Sequence, residues 1–184
     1  IAFGEDILTR VFSSKDSPQT LEALRQATLD TFREALEQLE EQTGYPVKSC
    51  GAMTVAGNTT MMHFLFGLDA FGVFASPYAP CAMRFDPYPA RDAGIPLDGY
   101  LYCYPCRANY LGGDIISGLI ATSLIRESEI CVFLDIGTNG ELVVGNREFL
   151  MAGAGAAGPA LEGGVVKTGM RAVEGAVSYV RMEG

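Results

Sequence analysis

The stretch VFLDIGTNGELVVGN, residues 132–146, sets the interpretation of the whole chain. Residues 132–134 and 142–144 are apolar runs that suit two buried strands, and the Asn139-Gly140 pair between them is a strong signal for a β-hairpin. The sequence therefore predicts a hairpin at this point, whether or not its turn also has a chemical role.

Other residues of the turn point to a phosphate and its metal ion. Asp135 closes the first strand and is followed by Gly137, Thr138 and Asn139. This order puts a carboxylate, a backbone without a side chain and a hydroxyl on one tight loop, and such groups suit a phosphate and a divalent cation. Taken alone, the stretch is equally compatible with a purely structural Asn-Gly turn.

Three further Gly-rich loops favour a common cleft. AGNTTM at 56–61 and LGGDIISG at 111–118 place small residues with an Asn or an Asp where a helix begins, and AAGPALEGG at 156–164 carries Glu162. Helix N-termini offer free N–H groups and a favourable dipole to anions, although each loop taken singly suits a cap or a turn just as well. Together with the hairpin, these loops predict one binding cleft.

Three other motifs have plainer interpretations. GAGAAG at 153–158 matches a dinucleotide fingerprint, but Pro159 follows at once and no second long βαβ unit is visible.

CYPC at 103–106, with Cys81 as a third ligand, has redox or metal spacing, yet it lacks the second Cys pair of a zinc site, which favours incidental thiols. His63, the only histidine, lies among apolar residues and is interpreted as a core or interface residue rather than a base or ligand. No Gly-rich serine elbow appears, which argues against a hydrolase.

The composition limits the class of protein. The 184 residues are 48% hydrophobic and 19% charged, which is enough apolar material for a real core. A net charge of −9 disfavours nucleic acid and anionic lipid as partners, and no apolar run is long enough for a membrane helix. Five unevenly spaced cysteines favour a reducing cytoplasm over a secreted disulfide framework. Because the chain opens at Ile1 without Met and stops at Gly184 within an apolar pattern, we expect a piece of a longer protein.

Periodicity and caps predict an alternation of helices and strands. The expected elements, in chain order, are a long amphipathic helix from Ser17-Pro18 to Gly44, a strand at 47–56, a helix at 59–68, either a long irregular excursion or a few short strands at 71–110, a helix at 112–126, the hairpin, a third strand at 147–152 and a short helix at about 170–180.

The ordered set of motifs resembles the ATPase region of the reductive activators of corrinoid-dependent proteins. FGEDILTRV, TVAGNTTMMHFLFGLD and YLGGDIISGL precede the hairpin, and MAGAGAAGPALEGGVVKTGMRAVEGAV follows it. The resemblance implies part of an actin-like (ribonuclease H-like) α/β ATPase fold, with a mixed sheet and flanking helices. It places residues 1–70 in a first subdomain, 71–110 in an irregular insertion, and 111–184 at the start of a second subdomain.

The same resemblance implies roles for single residues. Asp135 is similar to the acid of a second phosphate motif that holds Mg²⁺ or orients water. Gly137, Thr138 and Asn139 would cradle the phosphate. The cleft residues implied elsewhere are Asn58 and Thr59 from the other subdomain, Asp114 facing the metal, and Glu162 near the nucleotide.

The implied activity uses ATP to drive an electron onto the cobalt of a corrinoid methyl-transfer protein, which returns Co(II) to Co(I). A two-iron two-sulfur domain and the first phosphate hairpin are expected upstream of Ile1, and an adenosine-binding segment after Gly184. We therefore expect the isolated piece to bind ATP no more tightly than about millimolar, and to self-associate as a homo-dimer or larger species through exposed apolar surface. A docking module for the corrinoid partner and a small-molecule kinase on the same fold are the alternatives.

Overall fold

A computed structural model of the chain describes residues 6–137, 139–155, 167, 170, 173–177 and 179–181. Its α-helices are α1 (Ile7–Ser14), α2 (Pro18–Thr43), α3 (Thr59–Leu65), α4 (Phe71–Phe74), α5 (Ala90–Ala93) and α6 (Gly113–Ala121). Its strands are β1 (Ala52–Val55), β2 (Tyr88–Pro89), β3 (Tyr100–Cys103), β4 (Cys131–Ile136), β5 (Gly140–Gly145) and β6 (Leu150–Gly155), and 3₁₀ turns lie at Val47–Ser49 and Leu124–Arg126. The chain divides into two compact units, Ile1–Gly118 and Leu119–Gly184.

The long helix α2 begins and ends where the sequence predicts. The Ser17 side chain accepts a hydrogen bond from the backbone N–H of Thr20, and Pro18 occupies the first helical position, where it needs no donor. Gly44 adopts the left-handed conformation with φ of 68°, which lets its N–H reach the Glu40 carbonyl and terminate the helix. The predicted amphipathic helix is confirmed.

A small mixed sheet forms the centre of the first unit. Its strand order is β1-β3-β2, with β1 parallel and β2 antiparallel to β3. Alternate residues of β3 face opposite sides, so that Leu101 is fully buried while Tyr100 and Tyr102 are exposed. The core on the buried side contains Leu29, Val47, Val55, Met62, Leu65, Ala90, Ala93, Ile95, Leu97, Leu101 and Cys106.

An antiparallel sheet forms the described part of the second unit. Its strand order is β4-β5-β6, and the β4–β5 register runs from Cys131 opposite Gly145 to Ile136 opposite Gly140. The predicted hairpin is thus confirmed. The third strand starts later than predicted, because the Asn146 side chain accepts hydrogen bonds from the N–H groups of Glu148 and Phe149 and bends the chain before Leu150.

Other boundaries also differ from the prediction. The segment predicted as a strand at 47–56 starts with the 3₁₀ turn at Val47–Ser49, and only Ala52–Val55 pair with β3. The helix predicted at 112–126 ends at Ala121, because Ser123 has positive φ and separates α6 from the second 3₁₀ turn. Within the predicted helix at about 170–180, the described residues (170, 173–177, 179 and 180) are not helical and include a turn closed by the Ala176 N–H to the Val173 carbonyl, whereas 171, 172 and 178 lie outside the described ranges.

Helix α1 was not predicted. Asp6 caps it by accepting a hydrogen bond from the Thr9 N–H, and it buries Val11 beside Leu24 and Phe64. Over the described ranges, no helix combines the length and the apolar character needed to cross a membrane.

Candidate phosphate and metal site

The end of the β4–β5 hairpin carries the residues that the sequence singles out. Asp135 lies on β4, one residue before the end of the strand, and the Gly137 N–H donates to the Asn139 carbonyl at 2.9 Å. That hydrogen bond joins the two described residues of the turn. Thr138, at the centre of the predicted phosphate cradle, lies outside the described residues.

A second carboxylate accompanies Asp135. Glu141, the second residue of β5, is directly opposite Asp135 in the register, so both side chains leave the same face of the sheet. Only 9% of Glu141 is exposed, although burying a carboxylate is costly unless other groups compensate its charge. Glu141 was not among the residues predicted from the sequence. Its place in the sequence could have indicated it, because a hairpin centred on residue 138 pairs residue 135 with residue 141.

Gly137 is not required by the packing of the hairpin. A Cβ added there would lie 3.8 Å from the Asn139 carbonyl oxygen and 3.9 Å from Asp135 Oδ1, which are ordinary contacts, and these are the near atoms among the described residues. The fold therefore gives no reason for a glycine at this position. A ligand that approaches the backbone closely would give one.

Two of the other predicted loops meet within the first unit. The Gly57 carbonyl accepts hydrogen bonds from the N–H groups of Gly113 at 2.8 Å and Asp114 at 3.4 Å. Gly112 lies so close to Asn58 that an added Cβ would be 2.4 Å from the Asn58 Cα. We call this contact between residues 57–58 and 112–114 the loop clasp. It gives the first N–H groups of α6 a partner within the protein.

The predicted cleft residues of these loops make internal hydrogen bonds. Asn58 Oδ1 accepts from the Met61 N–H and caps α3, and the buried Thr59 hydroxyl donates to the Ala108 carbonyl at 2.9 Å. Asp114 Oδ1 accepts from the Ile115 N–H. The roles predicted for these three residues toward nucleotide and metal stay predictions. Glu162, the fourth such residue, lies outside the described ranges.

His63 is a buried core residue, as the sequence predicts. Its Nδ1 is 2.6 Å from the Thr59 carbonyl oxygen, and its Nε2 is 3.3 Å from the Ala82 backbone nitrogen. Since a carbonyl only accepts and an N–H only donates, the ring is neutral with its proton on Nδ1. Burial lowers the pKa of His63 below its ordinary value of 6.5, and the Thr59 hydrogen bond offsets part of that effect.

We expect His63 to make stability depend on pH. Because its pKa is lower in the folded chain than in the unfolded chain, its contribution is fully present above pH 6.5 and is lost as the pH falls from 6.5 toward the lower pKa. The full-length protein should therefore melt at a lower temperature at pH 5.5 than at pH 7.5. The His63→Gln variant should be less stable than the parent at pH 7.5, but its melting temperature should fall less between pH 7.5 and pH 5.5. An equal fall for variant and parent would contradict the assignment of a lowered pKa to His63.

The CYPC motif places two free thiols in the first unit, Cys103 half-buried and Cys106 buried. Burial and, to a smaller extent, the neighbouring Cys106 thiol together raise the pKa of Cys103 to about 11. A thiol of this kind stays protonated at neutral pH, when thiolates are needed to bind metal or attack a disulfide. The described residues contain no group of three or more His, Cys, Asp or Glu side chains placed to hold a metal ion. The interpretation as incidental thiols stays a prediction.

The GAGAAG motif coincides with the end of a strand. Gly153, Ala154 and Gly155 belong to β6, and residues 156–158 lie outside the described ranges. In a dinucleotide fingerprint the first glycine lies in the turn that follows a strand, whereas Gly153 lies within β6 itself.

Two family models match the chain on either side of the start of the hairpin. The family described as "RACo middle region" matches residues 1–127. The family described as "C-terminal domain of RACo the ASKHA domain" matches residues 129–184. The ASKHA description is thus attached to the segment that contains β4, β5 and β6, which bears out the actin-like α/β fold.

Individual proteins of related sequence are also known. The chain is 28% identical over 185 aligned residues to "Corrinoid activation enzyme RamQ" of Eubacterium limosum, a match that covers 100% of this chain and 31% of that protein. It is 31% identical over 80 residues to "[Co(II) methylated amine-specific corrinoid protein] reductase" of Methanosarcina barkeri, covering 44% of this chain and 15% of that protein.

A solved structure titled "Reductive activator for corrinoid,iron-sulfur protein" is similar to this chain with a TM-score of 0.82 at 44% identity. The match covers 95% of this chain and 28% of that one. The chain therefore spans less than a third of the length of these relatives.

Proposed function

Because the chain belongs to the RACo family, of which it carries the middle region and ASKHA sequence, we propose that it is part of an ATP-dependent reductive activator of a corrinoid protein. In this proposal, the full-length protein binds ATP and Mg²⁺ and returns the inactive Co(II) corrinoid of a methyl-transfer protein to Co(I). An iron-sulfur domain outside these residues supplies the electron, and the protein works in the cytoplasm.

One observation carries the proposal: Asp135 and the nine-tenths buried Glu141 lie side by side beside a glycine turn, in the segment that matches the ASKHA family. Carboxylate oxygens are the ligands that Mg²⁺ prefers, and an exposed glycine backbone suits a phosphate. The donor set of the hairpin thus fits a magnesium nucleotide, and we assign Asp135 as the residue that would hold the metal. Bound Mg²⁺ would neutralise the developing charge of the phosphoryl group.

In this proposal, the chain's own residues mainly position the nucleotide. A backbone hydrogen bond joins Gly137 and Asn139, two of the residues that would meet the phosphate. Glu141 adds negative charge beside Asp135 and strengthens the attraction for a cation.

The proposal is tested with the full-length protein and a corrinoid protein held in the Co(II) state. With a low-potential electron donor present, the absorbance of Co(I) should appear only when ATP and Mg²⁺ are both added. Reduction at the same rate without ATP would refute the dependence on ATP. Phosphate transferred to a small molecule would support the kinase alternative instead.

Gly137→Ala tests whether the turn approaches a phosphate. The hairpin has space for the added methyl group, so we expect an unchanged melting temperature but an ATP affinity at least about tenfold weaker, as for loss of one good contact of about 1.4 kcal/mol. Gly153→Ala is the matched control, because an added Cβ there meets nothing within 4 Å. Equal affinities for the two variants and the parent, measured by titration calorimetry, would remove Gly137 from the site.

The exposed tyrosines favour a docking role for the first unit in addition. Tyr100 and Tyr102 lie on the same face of β3, and 48% and 46% of their surfaces are exposed. Both belong to the 71–110 segment, in which the docking alternative places recognition of the partner. Tyrosine is common in protein interfaces because its ring buries a large area and its hydroxyl can still form a hydrogen bond.

A further inference from the structure

An irregular loop follows helix α4 and exposes a tyrosine. Residues 75–80, which we call the Tyr78 loop, contain neither helix nor strand, and residues 76–79 are all exposed. Tyr78 has 59% of its surface exposed, and its N–H donates to the Ala75 carbonyl at 2.6 Å. Its backbone is left-handed with φ of 58°, which is uncommon for a residue with a bulky side chain. Such a conformation persists only where the surrounding structure holds it.

The neighbouring segments hold the Tyr78 loop. The Tyr78 carbonyl accepts a hydrogen bond from Asn109 Nδ2 at 3.2 Å, and the same nitrogen donates to the Val73 carbonyl at 2.8 Å. The Asn109 side chain thus ties the loop to the end of α4. The loop also folds back on that helix, since an added Cβ at Gly72 would lie only 2.4 Å from the Ala79 carbonyl oxygen. A loop held by such contacts loses less conformational freedom on binding than an untethered loop does.

The surroundings of the Tyr78 loop have the composition of a protein interface. Tyr110 is 47% exposed, and its ring packs edge-on against Phe74 with 5.9 Å between the centroids. The two segments that meet here, 71–83 and 99–113, contain Arg107 as their only charged residue, in a chain whose net charge is −9. The centres of protein interfaces are enriched in tyrosine and arginine and depleted of acids and lysine. Little charge is therefore removed from water when a partner covers these two segments.

We propose that the Tyr78 loop, together with Tyr110, is a docking surface for the corrinoid protein that the full-length activator reduces. The inference rests on the proposed function, because it names where the partner of that reaction binds. The hydroxyls of Ser76 and of the two tyrosines can return to water when a partner leaves, whereas the interfaces of permanent dimers are more hydrophobic. A partner that binds and leaves in each cycle of activation fits this surface better than a second copy of the chain does.

Tyr78→Ala in the full-length protein tests the proposal. The probe is a corrinoid methyl-transfer protein that this activator is first shown to reduce to Co(I); it is then held as Co(II), and its affinity is measured by titration calorimetry. We expect Tyr78→Ala to bind it at least about tenfold more weakly than the parent does, the loss typical of removing an interface anchor. Its melting temperature and its ATP turnover without the corrinoid protein should not change.

Tyr45→Ala is the matched control, because Tyr45 is 56% exposed and lies outside both segments. It should bind the Co(II) corrinoid protein as the parent does. Equal affinities for the parent and both variants would overturn the docking surface while leaving the proposed function intact. If no corrinoid protein is reduced to Co(I) in the first step, the proposed function fails, and the docking surface fails with it.

Hydroxyl-radical footprinting of the unmodified full-length protein gives a second readout. Oxidation of Tyr78 and Tyr110 should slow when the Co(II) corrinoid protein is added, while oxidation of Tyr45 stays the same. Protection of Tyr78 in the activator alone at every concentration would identify a cover from the same polypeptide, and protection that grows with activator concentration would identify a second copy. Either result would overturn the proposal, as would oxidation of Tyr78 that the corrinoid protein leaves unchanged.

Discussion

Replacing Asp135 with Asn in the full-length protein is expected to lower ATP turnover about a hundredfold, the effect typical of removing one group that stabilises transition-state charge. The substitution keeps the size of the side chain and removes the negative charge that would hold Mg²⁺. Because Asp135 lies opposite Glu141, its charge is not needed for strand pairing, and like charges in that position oppose each other. The melting temperature should therefore stay the same or rise.

Glu148→Gln is the control for this experiment, because Glu148 is an exposed acid in the turn before β6. It should leave turnover unchanged. If Asp135→Asn also retains full turnover at saturating and at limiting Mg²⁺, Asp135 is not the metal-binding acid. A loss that is reversed by raising Mg²⁺ would place the effect of Asp135 in metal affinity.

Gly112→Ala is expected to destabilise the first unit by about 1–3 kcal/mol, the usual cost of forcing extra atoms into a packed site. The added methyl group would lie 2.4 Å from the Asn58 Cα and 2.7 Å from the Gly57 carbonyl oxygen. Both are backbone atoms, so no rotation of a side chain can relieve the overlap, and the loop clasp must open.

Gly51→Ala is the matched control for the clasp. Gly51 has no atom within 4 Å of an added Cβ, and so the substitution should change stability little. Urea unfolding of the full-length protein, followed by tyrosine fluorescence, would compare the two variants. Equal urea midpoints for Gly112→Ala and Gly51→Ala would mean that the loop clasp accommodates the added methyl group without losing stability.

The elements that the sequence predicts well are those whose signals are local. Ser17, Pro18 and Gly44 each act on their own helix end, and the two apolar runs of the hairpin are close enough in sequence to pair locally. The turn itself is shifted from the predicted Asn139-Gly140 pair, because Gly140 belongs to β5 and pairs with Ile136. In 71–110, by contrast, β2 and β3 pair with each other although the sequence around them shows no clear alternation of apolar and polar residues. Their pairing, for example of Pro89 with Tyr100, depends on the tertiary fold. A strand of two residues leaves no periodicity to detect.

The candidate site was only partly predictable for the same reason. Asp135 and Gly137 are visible in the motif, but Glu141 becomes a neighbour of Asp135 only once the register is known. Similarly, the closeness of Gly112 to Asn58 joins segments that are far apart in sequence. The division into 1–70, 71–110 and 111–184 stays a prediction; the family models match 1–127 as a middle region and 129–184 as the ASKHA domain.

The alternation along β4 has a consequence for how the gene can change. Asp135 belongs to one face of the sheet, and its neighbours Leu134 and Ile136 belong to the other, so adding or deleting one residue before the turn would exchange the two faces. A carboxylate would then enter the surface meant for apolar packing, and a leucine would replace it at the turn. The acid and the apolar side chains therefore stay on separate faces only if the length of the strand before the turn changes by an even number of residues.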